Sequence, residues 1–221
     1  MQLKALLLDL DGTLVDTAPD MVATLNRVLE SHDRPLVELA TAGKLVSNGA
    51  RALLEFGFGN TLDTGKMPQL IEEFLSDYGE HVCQHSAPYD GMLEVLSLCE
   101  NENLRWGIVT NKPLGLSRDL LEGLDLLDRC SILLGGDSLP VKKPDPAPLL
   151  HCCMVMSLAA SECVYVGDHE RDIRAGNAAG MDTAAALWGY IADGEDVNAW
   201  NARYLTQTPS GLHKLIEERL G

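Results

Sequence analysis

The sequence predicts an α/β protein, a doubly wound parallel sheet with a block of four helical segments inserted near its start. Five apolar runs are each too short for a helix and read as strands buried on both faces, the mark of a parallel sheet. Helical patterns lie between most of them, the alternation of a doubly wound fold. Between Asp16 and Ala87 the pattern is helical, with no convincing strand. The length of 221 residues allows one core with a smaller insert, and 46% hydrophobic with 23% charged residues is ordinary for a soluble globular protein.

The first strand covers residues 4–8. Thr17 and Pro19 then open a helix whose apolar stripe is Met21, Leu25, Val28 and Leu29. A second helical run covers 38–46, a third covers 50–56 and ends at Gly57, and a fourth covers 68–83. Residues 86–91 read as the return hinge. Residues 1–15 and 88–221 are therefore expected to form the core, and 16–87 the insert. Leu93, Leu96, Leu98 and Cys99 form a helical pattern before the second strand, 106–110. Leu116, Leu120, Leu121 and Leu124 do the same before the third, 132–134. The fourth and fifth strands cover 163–166 and 183–187. In such sheets ligands sit beyond the carboxyl ends of the strands.

The net charge of −16 opposes binding to nucleic acid or to an anionic membrane surface, so neither partner is expected. Any site for an anionic ligand must then supply its own positive charge. The six cysteines, Cys83, Cys99, Cys130, Cys152, Cys153 and Cys163, form no C-x-x-C pair and read as reduced fillers of apolar positions. The N-terminus lacks the long apolar region and cleavage site of a signal peptide, and no run reaches a membrane span. A cytoplasmic protein is expected.

Four short segments carry chemistry, each at a strand end. Asp9-Leu10-Asp11-Gly12-Thr13 places two carboxylates two residues apart, so both can face one cleft. One could attack phosphorus while the other works as acid and base. Taken alone, Asp-Gly after a strand is often only a turn. Thr110-Asn111-Lys112-Pro113 offers a hydroxyl and free N–H groups to a phosphate oxygen, or is a simple strand-to-helix turn. Lys142 and Lys143 sit against a proline-stiffened segment, where a rigid lysine can neutralise a phosphoryl group; the alternative is solvated surface lysines. Gly167-Asp168-His169-Glu170-Arg171-Asp172 sets two carboxylates four apart on a starting helix, suited to Mg2+ beside Asp9 or, alternatively, to the helix dipole. Four such signals in order, at strand ends of one sheet, reinforce one another.

Together these residues resemble the haloacid dehalogenase-like hydrolase superfamily. Residues 9–16, Thr110, Lys143 and Gly167-Asp168 with Asp172 look like its four motifs. The resemblance implies a Rossmann-like core with the first strand central and a helical cap. It implies Asp9 as nucleophile and metal ligand, and Asp11 as acid/base lending its backbone carbonyl to Mg2+. Thr110 and Asn111 would hold phosphate, Lys143 would be the cationic clamp, and Asp168 and Asp172 would hold or support the metal. Lys142 is then a surface residue. The second Asp favours phosphate chemistry over dehalogenation.

The helical insert resembles the cap of the phosphoglycolate phosphatase-like branch, whose glycine-bearing segment faces the active site. Here that segment is Ser47-Asn48-Gly49-Ala50-Arg51, and Arg51 suits a substrate carboxylate. Residues 46–51, 85–91, 106–113 and 189–191 look like those of the N-acetylmuramic acid 6-phosphate phosphatases. His169 departs from the small or acidic residue usual after the metal Asp. The expected activity is hydrolysis of a small phosphate ester, phosphoglycolate or N-acetylmuramic acid 6-phosphate, by a monomer or homodimer. The alternatives are a sugar phosphomutase on the same core and a silent binding protein.

Overall fold

Four consecutive apolar residues leave a strand no wet face, and β1 (Ala5–Leu8) is accordingly buried along its whole length. The computed structural model describes residues 2–220. The terminal residues Met1 and Gly221 of the expected core lie outside them. After β1 come β2 (Val15–Asp16), α1 (Ala18–Ser31), α2 (Leu39–Ala42), α3 (Gly49–Phe58), α4 (Met67–Glu80) and β3 (Ala87–Pro88). The chain continues through α5 (Met92–Asn101), β4 (Arg105–Val109), α6 (Leu114–Gly123), β5 (Leu133–Leu134) and α7 (Ala147–Met156). It ends with β6 (Cys163–Gly167), α8 (Glu170–Ala179), β7 (Asp182–Ala186), β8 (Tyr204–Thr206) and α9 (Pro209–Leu220).

The main sheet has the order β5-β4-β1-β6-β7-β8 and every pair is parallel. Alternate residues of β1 feed two apolar layers. Leu6 and Leu8 pack with Val95, Trp106 and Ile108 below α5 and α9, while Ala5 and Leu7 pack with Leu149 and Tyr165 below α7 and α8. Register places the carboxyl ends of β1, β4 and β6 side by side. The helices between β2 and β3 bury a cluster of their own, with Leu25, Leu29, Leu53, Leu54 and Phe74 at its centre.

Several local expectations are corrected. The expected helix at 38–46 breaks into α2 and a 3-10 turn over Gly43–Asn48. Gly43 sits mid-run, where glycine disfavours a helix, and its Cα packs against Ala18. α3 does not end at Gly57; the glycine lets α3 pack directly on Leu25 and Leu29, and the helix runs on to Phe58. α4 stops at Glu80, with His81 out of helical geometry as its cap, so the expected run to Cys83 is three residues too long. β8 was not expected; it is a three-residue edge strand that is only partly buried.

The linkers also hold two short strands. Val15 and Asp16 pair antiparallel with Pro88 and Ala87, so the chain leaves and rejoins the core at one place. The buried carboxylate of Asp20 on α1 reinforces that junction. It accepts from His85 N at 2.9 Å, Ser86 N at 2.9 Å and Ser86 Oγ at 2.6 Å. No helix among the described residues is long and apolar enough to cross a membrane.

Candidate active site

Asp9 follows the central strand directly, and its N–H is held by the Val166 carbonyl of β6 at 2.9 Å. Its Oδ1 accepts from Leu10 N at 2.7 Å and lies 2.9 Å from Lys143 Nζ. Its Oδ2 has no hydrogen-bond partner among the described residues. Burial pushes the Asp9 carboxyl up, against the opposing pull of Lys143. Lys143 is buried between two acids, with Nζ 2.7 Å from Asp172 Oδ1, and it also donates to the Val109 carbonyl at 2.9 Å and to the Tyr165 hydroxyl at 2.8 Å. Burial alone would lower its pKa, but the charges of Asp172 and Asp9 outweigh it, so the ammonium persists. Lys142, its neighbour, is exposed.

Asp168 closes the other side. Its Oδ1 accepts from Thr13 Oγ1 at 3.3 Å, and its Oδ2 accepts from Tyr190 N at 2.9 Å and Ser47 Oγ at 2.8 Å. Burial, then the charges of Asp9 and Asp172, push its carboxyl up to about 7. Gly12, at φ +83°, lies so close that a Cβ would collide with the Asp168 carboxylate and the Tyr190 ring. Asp172 accepts from His169 N through Oδ2 at 3.1 Å, leaving Oδ1 to Lys143 and, at 3.4 Å, the Tyr165 hydroxyl.

Carboxylate oxygens of Asp9, Asp168 and Asp172 lie within 4.8 Å of one another, and all three residues are buried. Three acids beside one lysine leave a surplus of negative charge. An all-oxygen donor set of this kind fits a hard divalent cation.

Thr110 is buried at the end of β4, its N–H on the Leu134 carbonyl and its Oγ1 accepting from Lys112 N at 3.2 Å. The Asn111 amide donates to the Lys143 carbonyl at 3.0 Å, and its Oδ1 is buried with no partner among the described residues. The side chain thus ties the loop after β4 to the lysine's loop. Asp11 Oδ1 accepts from Thr17 Oγ1 at 2.7 Å and from Lys112 Nζ at 2.8 Å.

The helical insert covers these groups and leaves a cavity of about 300 Å3. Its lining includes Asp9, Asp11 and Lys143 of the core, the apolar Ile71, Phe74 and Leu75 of α4, and the basic Arg51, Lys142 and Arg171. Asn48 Oδ1 meets His169 Nε2 at 3.2 Å and Arg171 Nη2 at 3.3 Å. Gly49 adopts φ +79° at the start of α3, and the exposed Arg51 has only a loose pairing with Glu55 at 3.7 Å. His169 caps α8, its Nδ1 accepting from Arg171 N at 3.2 Å, and stacks on Trp200. Burial, followed by the neighbouring Arg171, lowers its pKa to about 4, so it is neutral with Nε2–H pointing at Asn48.

A family model for haloacid dehalogenase-like hydrolases matches residues 6–186. The chain belongs to the haloacid dehalogenase-like hydrolases. It is 44% identical over 209 residues to a phosphoglycolate phosphatase of Xanthomonas campestris, covering 95% of this chain and 94% of that one. It is 38% identical over 220 residues to an N-acetylmuramic acid 6-phosphate phosphatase of Pseudomonas aeruginosa, covering 100% and 97%. A crystal structure of a predicted phosphoglycolate phosphatase from Haemophilus somnus superposes with a TM-score of 0.87 at 26% identity, covering 97% of this chain and 98% of that one. This haloacid dehalogenase-like hydrolase is thus an enzyme, a phosphoric monoester hydrolase.

Sequence reasoning missed Lys112, Tyr78 and Tyr190. The Tyr190 hydroxyl donates to Asp16 Oδ1 at 2.6 Å and accepts from Thr17 N and Ala18 N at 2.7 and 2.8 Å. One residue thereby joins Asp168 to the start of the insert. The available signal for Lys112 was its place two residues after Thr110 in a chain with 17 basic residues.

Proposed function

We propose that this hydrolase removes phosphate from a small phosphorylated metabolite through a phospho-aspartate on Asp9. The observation that carries the reading is the Asp9 carboxylate itself. Its Oδ1 is held by Leu10 N and Lys143, its Oδ2 has no hydrogen-bond partner among the described residues, and the residue lines the cavity. Fixed at one oxygen, a carboxylate presents the other as an oriented nucleophile.

Asp9 Oδ2 attacks phosphorus, forming an O–P bond while the ester P–O bond breaks. Asp11 gives its proton to the leaving oxygen. In the second half Asp11 takes a proton from water as that water attacks phosphorus, and the Asp9–phosphoryl bond breaks to release phosphate. Thr110 accommodates the phosphoryl oxygens, and Lys143 supplies a fixed positive charge beside them. Asn111 anchors the Lys143 loop. Asp9, Asp168 and the Asp11 carbonyl would hold Mg2+, with Asp172 behind them steadying Lys143. When bound, the ion supplies positive charge to the phosphoryl group and to the acid cluster.

The substrate is read from the cavity and the relatives together. About 300 Å3 holds the volume of roughly ten waters, and one wall is apolar. A glycolate unit would leave most of that wall wet. N-acetylmuramic acid 6-phosphate has a sugar ring and acetyl group to cover it, and a carboxylate for Arg51 or Arg171. We therefore favour the larger substrate of the two named for the relatives.

The test is phosphate release from both esters, with Mg2+ and with excess chelator, by wild type and Asp9→Asn. The expected result is Mg2+-dependent turnover preferring the sugar acid, and loss of all but a few thousandths of the rate in Asp9→Asn. Asp9→Asn retaining a tenth of the rate would exclude Asp9 as nucleophile.

A further inference from the structure

Lys112 is a buried ammonium that the reaction above does not use. Its side chain is only 6% exposed, and it leaves the loop after β4 two residues beyond Thr110. Nζ lies 2.8 Å from Asp11 Oδ1 and 2.9 Å from the Tyr78 hydroxyl, and 4.2 Å from the centre of the Tyr78 ring. Tyr78 is itself 1% exposed, on α4 of the helical insert. A cation taken out of water needs such partners to exist at all. Here they come from two sources, one being Asp11 of the core and the other the insert that covers it.

The consequence falls on Asp11. Its Oδ1 receives two donors, Thr17 Oγ1 from the start of the insert and Lys112 Nζ from the core. Its Oδ2 has no hydrogen-bond partner among the described residues, although Asp11 lines the cavity. Two donors on one oxygen fix the rotation of the carboxyl plane. They leave one atom, Oδ2, to carry the transferred proton. The fix depends on the insert, since Thr17 and Tyr78 both belong to it.

We propose that Lys112, braced by Tyr78, is the positioning residue for Asp11, and that seating of the helical insert on the core readies the proton-transfer group. This rests on the phospho-aspartate reading above. When Asp9 attacks, the ester P–O bond breaks and the departing oxygen takes the proton from Asp11 Oδ2. An alkoxide leaving group needs that proton, whereas 4-nitrophenolate leaves almost without it. Positioning of Asp11 therefore has a signature that support of the fold does not, namely sensitivity to the leaving group.

The experiment compares wild type, Lys112→Met, Tyr78→Phe, Asp11→Asn and the Lys112→Met/Asp11→Asn double variant, with kcat and KM measured on N-acetylmuramic acid 6-phosphate and on 4-nitrophenyl phosphate. Melting temperature is recorded for each. We expect Lys112→Met to lose about 10²-fold in kcat on N-acetylmuramic acid 6-phosphate, whose leaving group is an alkoxide, and under about threefold on the aryl ester. Tyr78→Phe, which keeps the ring and removes only the brace, should lose less with the same pattern. Lys112→Met should add under about threefold to Asp11→Asn, because both act on one step. Equal losses on the two esters, a change in KM alone, or a full additive loss in the double variant would overturn the proposal. If Lys112→Met does not fold, Tyr78→Phe decides: a loss independent of leaving group, or no loss, overturns it. A wild type inert on every ester would instead sink the phospho-aspartate reading on which it stands.

Discussion

On the proposed reading, Asp168 is a carboxyl whose proton would compete with Mg2+. Burial and the neighbouring acids hold its pKa near 7, against about 3.9 in an unfolded chain. In the metal-free protein its contribution to stability is full below about pH 4 and is lost as pH rises through about 7. Mg2+ held as proposed would have to displace that proton, so its affinity should fall by up to about tenfold per unit below pH 7. The expected outcome is a large Mg2+-induced rise in melting temperature near pH 8 that shrinks toward about pH 6. A rise independent of pH would mean that the ion avoids Asp168. Asp9, Asp11, Thr110 and Asp168 stand out as candidates in the sequence because each lies at or just beyond the end of an apolar run, whereas Lys143, well past β5, stands out only through the prolines around it, and Asp172 only through its spacing from Asp168. Lys112 and Tyr78 are not legible as a pair. They lie 34 positions apart, and no local pattern says where a long lysine side chain will turn.

At the scale of elements, the strands of a parallel sheet announce themselves because both faces are dry, and all five expected strands differ from the structure by a residue or less at each end. The shortest of them, expected at residues 132–134, is Leu133–Leu134. The half-exposed edge strand β8 gives no such signal. The helical insert is harder to read, since its breaks depend on which glycine packs and which one turns. Gly57 serves close approach of α3 to α1, whereas Gly49 at φ +79° is a true turn. Asp20 shows what joins such elements. Asp20→Ala would leave His85 N and the buried Ser86 N and Oγ without their acceptor and loosen α1 from the returning chain. The expected cost is about 3 kcal/mol, seen as a fall in melting temperature of roughly 6–12 °C. An unchanged melting temperature would show that water replaces the carboxylate and that the junction is held by other contacts.

For the molecule as a whole, the net charge of −16 repels an anionic ester, while the cavity lining includes Arg51, Lys142 and Arg171. The protein thus confines attraction to the place where chemistry is proposed. Arg51 has 61% of its side chain exposed and no tight partner, so it is free to meet a substrate carboxylate. Arg51→Ala should lower kcat/KM for a carboxylate-bearing ester about tenfold or more, and for 4-nitrophenyl phosphate much less. Equal losses would assign Arg51 to the phosphate or to the fold. The pairing of β2 with β3 has a different consequence. Residues 17–86 leave the sheet and come back one strand's width away, about 5 Å. They form a cassette: a short turn could splice Asp16 to Ala87 without re-threading any strand of the main sheet. A foreign cassette with ends equally close could be grafted at the same seam. Substrate range could then be exchanged as a module, provided the graft brings its own hydroxyl to the place that Tyr78 now fills.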